Sequence, residues 1–159
     1  LQDGPWRVLW SLPDSQQEHL PHHLRSDAGP SPKWMVRSWV PQRQVLQFDN
    51  VKCFVSHCGQ NSVHEALSLG VPMLCVPFFC DQFQWADSVC DFCKAGRKLD
   101  KMQAAPAAIR EAVSAVVYEE EYRKNARACA DDMLLASRTA SDNLPIMVKE
   151  GHVGVPLAV

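Results

Sequence analysis

The chain has 159 residues, 47% of them hydrophobic and 21% charged, with 16 Lys+Arg against 18 Asp+Glu for a formal net charge of −2. That is the composition of one globular domain, which buries about 70% of the surface its unfolded chain exposes and needs no disulfide framework. The absence of a basic excess or basic run argues against nucleic-acid binding. The longest apolar stretch, Val71 to Cys80, is broken by Pro72 and Pro77 and is about half as long as a bilayer span, so no membrane segment is expected.

The start, Leu-Gln-Asp-Gly, lacks Met and a charged-then-apolar leader, and it reads as the opening of a fragment whose targeting information lies elsewhere. Arg7–Leu12, closed by Pro13, reads as a buried strand. A Pro-, His- and Asp-rich loop, Asp14 to Pro32, contains His22-His23, expected as a solvated pair. Trp34–Arg37 is a second short strand, and Trp39-Val40-Pro41-Gln42 turns out of it. Val51–Ser56 is a third strand, ending in His57-Cys58-Gly59-Gln60-Asn61-Ser62. Val63, Ala66 and Leu67 then recur at helical spacing, with Asn61 or Ser62 as a cap and Gly70 suited to the position after the helix. His64 is expected as an exposed residue of that helix. Met73–Val76, stopped by Pro77, is a fourth strand. Strand, helix and strand in so short a stretch form a right-handed βαβ unit, so the sheet is parallel.

Downstream the period is helical. Phe83, Ala86, Cys90 and Cys93 share one face, and Arg97–Leu99 is a short edge strand. Ile109, Ala112, Val113, Val116 and Val117 form an apolar stripe with Pro106 in the first turn. Tyr122, Ala126, Cys129, Ala130, Met133 and Leu134 form another, whose start carries Glu119-Glu120-Glu121 at the positive end of the helix dipole. A last short helix is expected over Ser141 to Glu150, and residues 151–159 form a tail. The fold class is α/β: a doubly wound, Rossmann-like parallel sheet within residues 1–150.

The seven cysteines include several in apolar runs (Cys53, Cys75, Cys80), where a free thiol behaves as a small hydrophobe. Unpaired thiols suit a reducing compartment, and a cytoplasmic setting is expected. Cys90-x-x-Cys93 falls late in a helical pattern, not after a strand, and reads as packed thiols. A zinc-binding interaction domain built on it is the remotest alternative.

In open α/β sheets ligands bind at the carboxyl ends of the strands. The turn after the third strand offers His57, Gly59, Gln60, Asn61 and Ser62 ahead of a helix N-terminus, a setting for an anion such as diphosphate. Neither common glycine-rich phosphate fingerprint occurs. Glu65, one turn deeper on the face of Asn61, can accept both hydroxyls of a ribose. Trp39 and Gln42 offer a π face and an amide for a base. Asp81 and Gln82, after the next strand, pair a carboxylate with an amide and can clamp vicinal hydroxyls of a hexose. Base, ribose, diphosphate and hexose together make a nucleotide-sugar.

Trp39-x-Pro-Gln42, His57-Cys-Gly-x-Asn61-Ser62-x-x-Glu65, Gly70-Val-Pro72, Pro77 and Asp81-Gln82 resemble the signature box of the UDP-dependent glycosyltransferases, the superfamily of plant-type transferases and glucuronosyltransferases. The box runs from Trp39 to Gln82. The resemblance implies a GT-B fold, two Rossmann-like domains across a cleft, of which this chain is the C-terminal, donor-binding half. It implies that Trp39 stacks on uracil, that Gln42 and Glu65 hold the ribose, and that His57, Gly59, Asn61 and Ser62 bind the diphosphate. Asp81, Gln82 and Gln60 would face the sugar, Gln60 standing where plant members usually carry Trp. Gln47 likewise replaces a common His. The implied reaction is metal-free and cofactor-free transfer of a hexose from a UDP-sugar to a small-molecule acceptor. No residue here matches the catalytic base, which the family carries in the N-terminal domain with the acceptor site. The first strand of the donor domain is expected ahead of Arg7. A nucleotide-sugar epimerase of the same fold and a non-catalytic UDP-sugar-binding module remain as alternatives.

Overall fold

The structure, a computed structural model, describes residues 4–27, 31 and 33–149, with side chains up to residue 139. Its centre is a parallel sheet of β3 (Phe54–Ser56), β4 (Met73–Cys75) and β5 (Gly96–Lys98) in the order β3-β4-β5. Phe54 pairs with Met73, and Met73 in turn with Gly96. All of β4 is buried, and its residues alternate between two cores as the strand period of two requires. Met73 and Cys75 face one core and Leu74 faces the other.

The first core is closed by α3 (Gln60–Ser68), α4 (Gln82–Asp87) and α6 (Glu120–Lys149), through Val63, Ala66, Leu67, Ala86 and Ala126, with Val89 just after α4. The second is closed by α5 (Pro106–Tyr118), whose Ala112 and Val113 meet Leu74, with Ile109 and Val117 alongside. Helices thus cover both faces, the doubly wound arrangement expected. Pro106 is at the first position of α5, where its missing N–H costs nothing. Gly70 follows α3 with φ 65, and the Gly70 and Val71 amides return to Leu67 and Ala66 in the double bond of a Schellman ending. A Cβ on Gly70 would also lie 3.3 Å from the Arg127 Cα of α6. Arg123 of α6 ties the same region together, donating to the Val51 and Gly70 carbonyls.

Several expectations are corrected. β1 (Val8–Ser11) and β2 (Trp34–Arg37) are parallel but form a separate two-stranded sheet. β1 is therefore not buried: Leu9 and Trp10 remain 41% and 40% exposed, because burial of a parallel strand requires cover on both faces. The loop after β1 is better organised than its composition suggests. It contains α1 (Asp14–Gln17) and a 3₁₀ turn at His22–Leu24, and buried Gln17 donates to Leu12 O and accepts from Ser26. His22 and His23 are exposed there. A short helix not expected, α2 (Gln42–Leu46), follows Pro41.

The stripe through Phe83 also shifts. The buried face runs instead through Gln82, Ala86 and Val89, at helical spacing one residue round from Phe83, which stays exposed, and a π-helical turn at Ser88–Phe92 follows α4. The stripe on α6 ends at Met133, and Leu134 is exposed. No separate helix starts at Ser141, since α6 runs on to Lys149, through Pro145. Glu150 and the expected tail 151–159 lie outside the described residues, as does His152.

Candidate functional site

β3 and β4 run side by side and end together: Ser56 pairs with Cys75, and the Val76 amide donates to Ser56 O at 2.8 Å. The turns leaving them, 57–59 and 77–81, therefore start from neighbouring points at the carboxyl edge of the sheet. That edge is where an open parallel sheet binds its ligands.

The first turn is built by Cys58, buried and left-handed at φ 65, whose amide is held by Ser56 Oγ at 3.1 Å. It brings the His57 ring back over Gly59, where an added Cβ would stand 2.8 Å from His57 Nε2. Gly59 is the N-cap of α3 and provides no side-chain cap. The expected cap at Asn61 or Ser62 is thus corrected: both are inside the first helical turn. Helix geometry leaves the first amides without intrahelical partners, here those of Gln60, Asn61 and Ser62. With the dipole and the adjacent exposed imidazole, they form a site shaped for an anion.

Glu65 is one turn deeper. Gln42, the first residue of α2, donates from Nε2 to Glu65 Oε2 at 2.9 Å and to Ser62 Oγ at 3.3 Å. Three of the predicted residues are thus joined directly. The bond to Gln42 engages one oxygen of Glu65, and Pro41, the N-cap of α2, precedes the residue that makes the contact. Trp39 precedes this group with its ring 74% exposed, a face free to stack. Arg43, Asn61, His64, Glu65, Ser68 and Met133 line an open cleft of about 290 Å³ beside the same helix face. His64 is exposed as expected, and its ring meets Trp85 edge-on at 5.2 Å.

On the second turn Asp81 is exposed and caps α4 without a side-chain bond. Gln82 differs from expectation: it is 7% exposed, and its Oε1 accepts from the Phe78 and Phe79 amides at 2.8 and 3.2 Å. Its carbonyl oxygen therefore holds the turn, leaving its NH₂ end to donate. Cys80 is left-handed at φ 55 beside them. Lys101 reaches this turn from downstream, donating to Phe78 O at 2.8 Å. Sequence reasoning missed it, as it missed Arg43, because Lys101 lies outside every spaced motif. Gln60 opens α3 and is exposed.

Cys80, expected among the packed thiols, is exposed on the second turn because it lies past the end of β4, whereas the other thiols are buried or half-buried rather than arrayed for a ligand. Burial pushes Cys53 up to about 12. Hydrogen bonding to the Cys58 and Cys90 thiols, reinforced by burial, holds Cys75 protonated. Cys90 and Cys93 sit half-buried on and after the π turn. Among the described residues no group of three or more His, Cys, Asp or Glu is placed to hold a metal ion. No helix among them is long and apolar enough to cross a membrane.

Comparisons with known proteins show the family. The family described as UDP-glucoronosyl and UDP-glucosyl transferase matches residues 1–131, and the chain belongs to it. Mogroside I-E synthase of Siraitia grosvenorii is 38% identical over 132 residues, covering 79% of this chain and 28% of that protein. UDP-glycosyltransferase 74C1 of Arabidopsis thaliana is 43% identical over 91 residues, covering 57% of this chain and 20% of the relative. Among solved structures, a UDP-glucose:anthocyanidin 3-O-glucosyltransferase in complex with UDP superposes with a TM-score of 0.69 at 32% identity, covering 79% of this chain and 28% of that one. Os79 from O. sativa, in complex with U2F and trichothecene, gives 0.71 at 27% identity, over 79% of this chain and 29% of that one. The chain thus spans less than a third of each of these relatives. Its fold matches part of their GT-B architecture.

Proposed function

We propose that this chain is the donor-binding part of a UDP-sugar-dependent glycosyltransferase that moves a hexose to a small-molecule hydroxyl. The observation that carries the proposal is the direct bonding of Gln42 to Glu65 and Ser62 beside the uncapped start of α3. A ribose-holding carboxylate is thereby fixed next to a diphosphate-holding helix end. Trp39 stacks on uracil, and Gln42 and Glu65 hold the ribose. His57, Gly59, Asn61, Ser62 and the first α3 amides take the diphosphate, and Asp81, Gln82 and Gln60 face the hexose. Residues 1–150 act as one donor-binding unit, with residues 39–82 as its ligand-contacting part.

The chemistry this site supplies is electrostatic. As the sugar leaves, negative charge grows on UDP, and oriented amides with the His57 N–H stabilise it without reorganising. No metal or organic cofactor is needed for that step. The acceptor must lose a proton to a base within hydrogen-bond reach. That base and the acceptor site are contributed from outside this chain. A small-molecule acceptor is consistent with the flavonol, anthocyanidin and trichothecene in the names of relatives and their complexes.

A crystal soaked with UDP tests the assignment: uracil should lie on Trp39, ribose hydroxyls on Glu65 and phosphate at the α3 N-terminus. UDP bound elsewhere, or absent from saturated crystals, would overturn it. The 159-residue chain incubated with UDP-glucose and a phenolic acceptor should give no glycoside, and robust turnover would refute the external base.

A further inference from the structure

We propose that Lys101 is a positioning residue for the hexose-binding turn, fixing the Phe78–Phe79 peptide and through it Asp81 and Gln82. The inference rests on the donor-site assignment above but adds a residue from another part of the chain.

The Phe78–Phe79 peptide is gripped at both ends of its dipole. Its carbonyl, Phe78 O, accepts from Lys101 Nζ at 2.8 Å. Its N–H, that of Phe79, donates to Gln82 Oε1 at 3.2 Å, and the Phe78 N–H donates to the same oxygen at 2.8 Å. The Lys101 ammonium also stands 5.4 Å from the Phe78 ring centroid, a cation–π distance. A cation on the carbonyl polarises the amide and strengthens the bond its N–H makes to Gln82, since bonds in series reinforce one another. Lys101 belongs to a 3₁₀ turn, Lys101–Gln103, that follows β5, so the sheet's last strand delivers it.

The turn needs such a restraint. Cys80 is left-handed at φ 55, a conformation that persists in a non-glycine residue only where the surroundings over-determine it. Asp81 comes next, exposed and without a side-chain bond in its capping position, so its carboxylate is aimed by the backbone alone. If the Phe78–Phe79 peptide rotated, Gln82 would lose at least one of its two donors and Asp81 would lose its direction. The nucleotide end would be untouched, because Gln42 holds both Ser62 and Glu65 without the Phe78–Phe79 peptide. Lys101 therefore acts on the sugar and not on the nucleoside.

The test compares UDP and UDP-glucose binding by calorimetry in the wild type, Lys101→Met and Lys101→Arg, with amide exchange at Phe78 and Phe79 followed in each. In Lys101→Met the UDP-glucose affinity relative to UDP should fall about tenfold, the scale of one charge-assisted hydrogen bond. The Phe79 amide should exchange faster, and Lys101→Arg, which keeps a cation and a donor, should behave as wild type. Equal weakening of both ligands, or no change in their ratio, overturns the proposal. A wild type that binds neither ligand sinks the donor-site assignment instead. Exchange at Phe79 then decides for Lys101 alone: unchanged protection in Lys101→Met removes it.

Discussion

Glu65 meets the Gln42 amide through one oxygen at 2.9 Å, so on the proposed assignment a ribose would meet a carboxylate already held in place. Replacing Glu65 by Ala should weaken UDP binding by about 1.5–3 kcal/mol, the scale of hydrogen bonds to a charged group. Trp39 is 74% exposed and packs little of the fold. Trp39→Ala should therefore lose about 1–3 kcal/mol of base stacking with almost no change in melting temperature. Calorimetric titration with UDP checks both, and wild-type affinity in both variants would remove these residues from the site. Gly59 makes a sharper case. A Cβ there would meet the far end of the His57 ring at 2.8 Å, which can swing aside at small cost to the fold. Gly59→Ala should thus keep its melting temperature and bind uridine normally. It should lose about 1.5–3 kcal/mol of UDP affinity as the imidazole leaves the diphosphate. Equal loss for uridine and UDP would show that the ring does not serve the phosphates.

At the level of elements, what the sequence made legible was what local chemistry decides. β3, α3 and β4 follow from an apolar run, a polar turn, a helical stripe and Gly70, and each signal agrees with the next. The stripe of Ala112, Val113 and Val116 on α5 is equally local. What it concealed depended on partners remote in the chain. The face of α4 that meets the core runs through Gln82 and Ala86 rather than Phe83, a choice between adjacent stripes that the local pattern leaves open. Gln82 looked like a free amide because nothing in its neighbourhood shows that its oxygen would be taken by Phe78 and Phe79. Gly96 lies just outside the edge strand expected over Arg97–Leu99, yet it is the first residue of β5. A Cβ there would lie 2.3 Å from Met73 O and 2.9 Å from Val89 Cγ1, so the backbone of β4 would have to move. Gly96→Ala should destabilise the chain by about 1–3 kcal/mol, the usual cost of overpacking, read as a lower denaturation midpoint. An unchanged midpoint would mean that β5 pairs with β4 more loosely than the register implies.

Across the whole molecule the strands divide unevenly. β4 has a partner on each side and cores on both faces, whereas β1 pairs with β2 in a sheet apart from β3-β4-β5. Parallel strands are stable when both faces are covered, yet Leu9, Trp10, Met35 and Val55 are all 40–49% exposed on strands β1, β2 and β3. Such residues, beside strand edges that have no partner among the described residues, invite pairing with other chains. The 159-residue chain by itself should therefore associate as its concentration rises and should bind a hydrophobic dye in the native state. Charge on the exposed strand residues should oppose this, so Trp10→Lys with Val55→Lys should raise the monomer fraction in light scattering. The nucleotide site would be unaffected, since neither residue belongs to it, and UDP affinity in the double variant separates lost association from lost folding. A chain that stays monomeric and dye-free at every concentration would show that β1 and β3 are covered after all.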